Sequence, residues 1–114
     1  MRSDEALLLD MLLALRKIGR FTQGLDEQEF QAQDLVQSAV IREFQVLGEA
    51  ARLISATTKS QYDTIPWRLI AGMRNRLIHE YFSVRLDVVW ETIHKDIPGL
   101  IAGLEAIVPA EDGS

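Results

Sequence analysis

The chain concentrates its chemically capable side chains in one short segment. The segment runs Arg74-Asn75-Arg76-Leu77-Ile78-His79-Glu80-Tyr81. Cleaving a phosphodiester bond without a metal requires fixed positive charge for the phosphate oxygens and an imidazole that can move protons. The segment supplies both, and the 114-residue chain has only one other histidine. These eight residues are therefore the first candidate for a functional site.

Helical spacing limits how a straight helix could use these groups. Arg74 and His79 are five residues apart, so they lie about 140° apart around a helix, whereas Arg74 and Tyr81 lie within about 20°. Asn75 and His79, four apart, share a face. Either the helix unwinds near His79, or the site is shared between two chains of a two-fold dimer, where the same patch is used twice.

Apolar residues at helical spacing predict the elements that position this segment. Helices are expected over about 4–20, from Asp26 to about residue 55, over 66–80 and over 86–108, with a loop over 56–65. Asp26 and Glu29 resemble a capping box, and Pro66 suits a first helical turn. Pro98 should kink or divide the last helix. Whether 26–33 forms a separate short helix stays open.

These elements predict an all-α domain, an up-down bundle of four to five helices. We expect a single domain over 1–114, with its core over about 4–108 and a flexible tail at 109–114. Strand signals are weak throughout. Gly48 and Gly72 lie inside predicted helices, which suggests that the two helices approach each other closely there. Trp67 and Trp90 are expected to pack in the core.

Composition excludes several classes of protein. Cysteine is absent, so disulfide frameworks and thiolate zinc sites are excluded. No apolar run approaches the roughly 20 residues that span a bilayer, and the N-terminus lacks a signal-peptide pattern. We therefore expect a cytoplasmic protein. The net charge of −5 argues against broad nonspecific binding of nucleic acid.

The charge is unevenly distributed along the chain. Residues 67–85 contain four arginines (68, 74, 76 and 85) and one acidic residue, whereas residues 26–34 contain four acidic residues and no basic one. A basic patch on an acidic body fits a phosphate site, but it also fits a self-complementary assembly surface. Charge alone does not decide between them.

Each candidate residue also has an ordinary structural explanation. A histidine near a helix end more often caps or packs than catalyses. Arg76 and Glu80, four apart, could form a surface ion pair, and Tyr81 could pack at the edge of the core. Glu91 and His94 have the spacing of ligands in di-iron bundles, but an exposed pair one turn apart explains them fully. We expect no metal site.

The segment resembles a known signature. Arg74-x4-His79-x-Tyr81 is similar to the RX4HXY motif of the HEPN superfamily, in the branch of HepT-like ribonuclease toxins. Other stretches that resemble this family are residues 41–44, 47–51, 65–67, 70–75 and 86–90. The likeness covers about 5–108. Arg85 is one departure, because a small or acidic residue is expected there.

The resemblance implies a metal-independent RNA endonuclease without a cofactor. It implies an all-helical homodimer with the motif at the dimer interface, acting as the toxin of a type VII-like toxin–antitoxin pair. The partner implied is a minimal nucleotidyltransferase antitoxin, which neutralises the toxin by transferring AMP to the motif tyrosine. By position that residue is Tyr81.

Roles for individual residues follow from this resemblance and from their chemistry. His79 would act as general acid or base, and Arg74 would hold the phosphate and stabilise charge growing on its oxygens. Asn75 could orient the scissile group, Arg76 would add a second phosphate contact, and Tyr81 could contact the substrate. Two alternatives remain: a non-catalytic HEPN-like binding partner of a nucleotidyltransferase, and a plain dimerisation protein.

Overall fold

Seven helices and one short hairpin make up the part of the chain that the structure describes. The computed structural model describes residues 2–80 and 83–108, with the backbone alone at residues 74, 78–80 and 83. The elements in chain order are α1 (Asp4–Thr22), α2 (Glu27–Gln31), α3 (Asp34–Leu53), α4 (Ala56–Gln61), α5 (Trp67–Leu77), β1 (Ile78–Glu80), β2 (Ser83–Val84), α6 (Leu86–Lys95) and α7 (Ile97–Glu105). The predicted all-α helical bundle is confirmed. The predicted tail at 109–114 lies outside the described residues.

The framework is the pair of long helices α1 and α3, which share the most extensive interface. Helix α5 packs on α3, and α7 packs on α1 and α6. Apolar residues of every long helix point into one core, in which the largest fully buried side chains include Met11, Leu15, Leu47, Ile70 and Leu104. No helix among the described residues is long and apolar enough to cross a membrane.

Local capping explains where α2 begins. The Asp26 side chain accepts a hydrogen bond from the Glu29 amide at 2.8 Å, and Glu29 accepts one from the Asp26 amide at 2.9 Å, so the predicted capping box is confirmed. Gly24, at φ 80°, makes the preceding turn in a conformation that favours glycine. The open question about 26–33 is answered by the separate helix α2.

The prediction of a loop over 56–65 was wrong, because α4 forms there. Ser55 caps it by accepting from the Thr58 amide at 3.2 Å. The Asp4 carboxylate at the start of α1 accepts from both the Ser55 and the Thr58 hydroxyls, each at 2.5 Å. These bonds, with that of Ser55 the strongest influence, lower the pKa of Asp4 below its ordinary value. A short polar helix held by caps has no apolar stripe for a sequence pattern to detect.

Proline divides the last predicted helix, as expected. Helix α6 ends at Lys95 and α7 begins at Ile97, with Pro98 in its first turn. The indole rings also pack as predicted. Trp67 lies against the core and donates to the Tyr62 carbonyl at 3.1 Å.

The predicted close approach at Gly48 and Gly72 was wrong. A Cβ atom added to either glycine would meet nothing within 4 Å among the described residues, so both positions have open space. Helices α3 and α5 do pack on each other, but neither glycine lies in close contact with the neighbouring helix. Gly103 is a real close approach, because a Cβ there would lie 3.2 Å from Ile65 Cδ1.

Candidate functional site

Helix α5 carries the first half of the candidate site. Ile70, Met73 and Leu77 recur at spacings of three and four and are all buried, which fixes one face of the helix to the core. Asn75 lies on the exposed side of the last turn. Arg74 lies between the buried Met73 and the exposed Asn75 in the chain, and only its backbone is described.

The helix ends at Leu77, three residues before the end that the periodicity predicted. The Leu77 carbonyl accepts a hydrogen bond from the Arg85 amide at 3.0 Å, whereas in a continuing helix it would accept from residue 81. Beyond it, Ile78 pairs with Val84 and Glu80 with Ser83 in an antiparallel register. The sequence, whose strand signals are weak throughout, did not indicate this short strand pair, and the predicted helix was wrong over 78–80.

His79 consequently lies on β1 and not on the helix. This is the first of the two alternatives raised by the spacing, unwinding of the helix before His79. The arguments that placed Asn75 and His79 on one face, and Arg74 near Tyr81, assumed a continuous helix and no longer apply. The backbone alone is described at Arg74 and His79, and Tyr81 lies outside the described residues.

Arg76 is engaged by the end of α6. Its Nη2 donates to Thr92 Oγ1 at 3.1 Å and to Asp96 Oδ2 at 3.2 Å. The Thr92 residue is 2% exposed and the Asp96 side chain 20%. Neither partner was foreseen from sequence, because both lie far along the chain from Arg76 and only the packing of α5 against α6 brings them close.

Arg85 pairs with Asp87 at the start of α6. Its Nη2 lies 3.2 Å from Asp87 Oδ2, and Nε donates to Oδ1 at 3.3 Å. The pair lowers the pKa of Asp87 and raises that of Arg85 from their ordinary values. Two of the four arginines in residues 67–85 thus form ion pairs with aspartates that lie outside that range. The patch is less positive than its sequence suggests.

Asn75 borders an open groove between α3 and α5. The residues that line this groove are Gln45, Gly48, Glu49, Arg52, Ala71 and Asn75. Arg52 and Glu49 form an ion pair on its wall, with an N–O distance of 2.7 Å. The small residues on both helices leave its floor accessible. The face of α5 next to the motif is therefore a concave, polar-walled surface.

The Glu91–His94 spacing has an ordinary explanation. The imidazole lies against Trp90, with the ring centroids 4.2 Å apart, and its Nδ1 is 3.0 Å from the Trp90 carbonyl oxygen. Trp90 in turn packs against Phe30 at 5.4 Å. Within residues 2–80 and 83–108, no group of three or more histidine or acidic side chains is arranged to hold a metal.

Comparison with known proteins identifies the family. The family model described as "Ribonuclease HepT-like" matches residues 11–107. The chain belongs to the HepT-like ribonuclease family. The resemblance inferred from the motif and its flanking stretches is thereby confirmed.

Relatives of this HepT-like chain carry ribonuclease names. "Probable ribonuclease HepT" of Thermococcus cleftensis is 38% identical over 106 residues, which are 93% of this chain and 96% of the relative. "Putative RNase MJ0125" of Methanocaldococcus jannaschii is 38% identical over 107 residues, 94% of this chain and 92% of the relative. "Putative RNase TTE0752" of Caldanaerobacter subterraneus is 35% identical over 88 residues, 77% and 79% respectively. No solved structure matches the chain.

Proposed function

We propose that this HepT-like chain is a metal-independent RNA endonuclease and the toxin of a type VII-like toxin–antitoxin pair, acting in the cytoplasm. The observation that carries the proposal is the end of α5 between the two central motif residues. Arg74 stays on the helix and His79 moves to the strand, so the 140° separation of a straight helix no longer keeps them apart. The HepT-like ribonuclease family indicates the class of reaction, which is cleavage of RNA.

The chemistry needs no bound metal, because RNA carries its own nucleophile. The 2′-hydroxyl attacks the adjacent phosphorus and the 5′-oxygen leaves. His79 takes the proton from the 2′-hydroxyl or gives one to the departing 5′-oxygen, since imidazole titrates near neutral pH. Arg74 holds the phosphate and stabilises the charge that grows on its oxygens. Asn75, exposed beside the groove, orients the scissile group, and Tyr81 contacts the substrate or holds Arg74.

The first prediction concerns catalysis. Changing His79→Ala or Arg74→Ala should slow RNA cleavage by about 10²-fold or more, because each change removes either the proton-transfer group or the positive charge at the phosphate. Cleavage by the wild-type protein should persist in excess EDTA. The measurement is the single-turnover rate on a labelled RNA.

Arg68→Ala is the matched control, since Arg68 is exposed in the first turn of the same helix and lies outside the motif. It should change the rate by only a few-fold. Wild-type rates in both motif variants would refute the proposed roles. Binding to a nucleotidyltransferase without any cleavage would instead support the non-catalytic alternative.

The active form that we propose is a homodimer with the motifs at its interface. The α3–α5 groove supports this, because it lies beside Asn75 and presents Gly48 and Ala71 on its floor, with Gly72 exposed on the same helix. Small residues permit close approach of another helix, and the described residues of the same chain leave the space at both glycines open. A second copy at this face would bring two arginines and two histidines to one cleft.

The second prediction uses the open space at Gly72. A Cβ added at Gly72 meets nothing within 4 Å among the described residues, so Gly72→Gln should stabilise α5 by up to about 1 kcal/mol through helix propensity. In the dimer it would occupy the interface. Light scattering should therefore give a mass near twice 12.9 kDa for the wild type and near 12.9 kDa for the variant, with lost cleavage and intact helical circular dichroism.

Gly19→Gln provides the control, because Gly19 is also a helical glycine with nothing within 4 Å of an added Cβ, but it lies on α1. It should remain dimeric and active. A Gly72→Gln protein that dimerises and cleaves like the wild type would exclude this face as the interface.

Regulation is the last part of the proposal. The cognate minimal nucleotidyltransferase would transfer AMP to the Tyr81 hydroxyl, adding negative charge and bulk beside Arg74 and so repelling and occluding RNA. The third prediction is that Tyr81→Phe still cleaves RNA but escapes neutralisation by that partner. Intact-mass spectrometry should show one added AMP on the wild type and none on the variant. Neutralisation of Tyr81→Phe to the same degree would contradict it.

A further inference from the structure

Arg76 does more in this fold than its predicted phosphate contact requires. We propose that Arg76 is a positioning residue, which holds the last turn of α5 in register with the hairpin through Thr92 and Asp96. The proposal rests on the proposed ribonuclease function, because it concerns the placement of Arg74 relative to His79. It assigns a role to two residues, Thr92 and Asp96, that lie outside the motif.

The geometry of the link supports an ordered contact. One nitrogen, Nη2 of Arg76, donates both to the buried Thr92 hydroxyl at 3.1 Å and to the Asp96 carboxylate at 3.2 Å. The Asp96 side chain is 20% exposed and that of Arg76 is 44% exposed, so the pair is partly screened by water, and the buried Thr92 acceptor is the more protected end of the link. Asp96 also lies between α6 and α7, so Arg76 ties α5 to the junction of two helices.

The link adds to the restraints on the last turn of α5, where the hairpin begins. The buried Leu77 side chain fixes the end of α5 to the core, and the Leu77–Arg85 main-chain bond fixes the start of α6 to it. Arg76 adds a side-chain tie to α6 from the same last turn of α5, about 100° around the helix from Leu77. Because Arg74 lies on the helix and His79 on the strand, any rotation of that turn changes their separation. Misplacement of a catalytic group by about 1 Å can cost roughly 10²-fold in rate.

A phosphate-contact role and a positioning role of Arg76 predict different results when RNA affinity and cleavage rate are measured. A phosphate ligand contributes to RNA affinity and to its salt dependence. A positioning residue contributes to the rate once RNA is saturating. Removing Asp96 separates the two roles most clearly. It frees the guanidinium from its carboxylate partner, but it removes the ion pair that ties α5 to the junction of α6 and α7 and leaves only the Thr92 bond.

The experiment compares Arg76→Ala, Asp96→Ala and the double variant with the wild type. Single-turnover cleavage is measured at saturating RNA, at a temperature at which circular dichroism shows every protein folded. RNA affinity is measured by fluorescence anisotropy at several salt concentrations in a His79→Ala background. Glu105→Ala is the matched control, because the Arg16–Glu105 pair, at 3.0 Å, also joins two helices.

We expect each single variant to lower the saturating rate by about tenfold or more, with RNA affinity changed by no more than about twofold. The double variant should be no slower than the slower single variant, because both changes break the same contact. Thr92→Val, which removes one acceptor and keeps the side-chain shape, should give a smaller loss in the same direction. It tests the proposal if Asp96→Ala fails to fold. Glu105→Ala should keep the wild-type rate.

If the wild type cleaves RNA and Asp96→Ala keeps or exceeds the wild-type rate, the positioning inference fails but the proposed function does not. Where Asp96→Ala does not fold, the same result with Thr92→Val overturns the inference. It fails equally if Arg76→Ala weakens RNA binding, reduces its salt dependence and leaves the saturating rate unchanged, which is the behaviour of a phosphate ligand. If the wild-type protein cleaves no RNA, the proposed function and this inference fail together.

Discussion

The hydrogen bond from the Arg85 amide to the Leu77 carbonyl is the constraint on which the candidate site depends. It occupies the carbonyl that would accept from residue 81 in a continuing helix, and α5 ends at Leu77. The buried Leu77 side chain holds this point in the core. The same bond starts α6 directly after β2. This main-chain bond thus lies where the helix ends and the hairpin begins, with His79 carried on β1.

Charge acts at short range in this protein. The chain carries a net charge of −5, and folding brings Asp87 to Arg85 and Asp96 to Arg76. The long-range attraction for a polyanion is therefore weak, and binding energy must come from contacts within the site itself. An arginine paired with a carboxylate can still contribute to catalysis by holding the backbone in place. In this account, the packing of α5 against α6 also sets the electrostatics of the site, because it places Asp96 beside Arg76.

Most of the helices could be predicted from the sequence, because their apolar residues recur at helical spacing and their caps are local. The Asp26–Glu29 capping box and the division at Pro98 depend on neighbours within a few residues. Helix α4 could not be found in this way, since caps and Asp4 hold it without an apolar stripe. The hairpin was also missed. It is only three and two residues long, and a bond between positions eight residues apart decides it.

The membership of the site stays a prediction from the sequence, whereas its backbone geometry comes from the structure. Residue types and the family motif predict Arg74 and His79 as site residues, and their spacing indicated that either the helix unwinds near His79 or two chains share the site. The end of α5 at Leu77 is the unwinding, and the sequence alone could not choose it. The partners of Arg76 depend on the packing of α5 against α6, which no local pattern encodes. Gly48 and Gly72 were expected to mark a contact within the chain, whereas they lie at open positions.

The most direct test of this account is the backbone conformation of residues 72–85 in solution. Carbon chemical shifts of isotope-labelled protein should be helical through Leu77 and extended over Ile78–Glu80, with a cross-strand nuclear Overhauser contact between Ile78 and Val84. Helical shifts that continue through Glu80, without that contact, would contradict it. His79 would then lie on the same straight helix as Arg74, and the proposed arrangement of the site would be wrong.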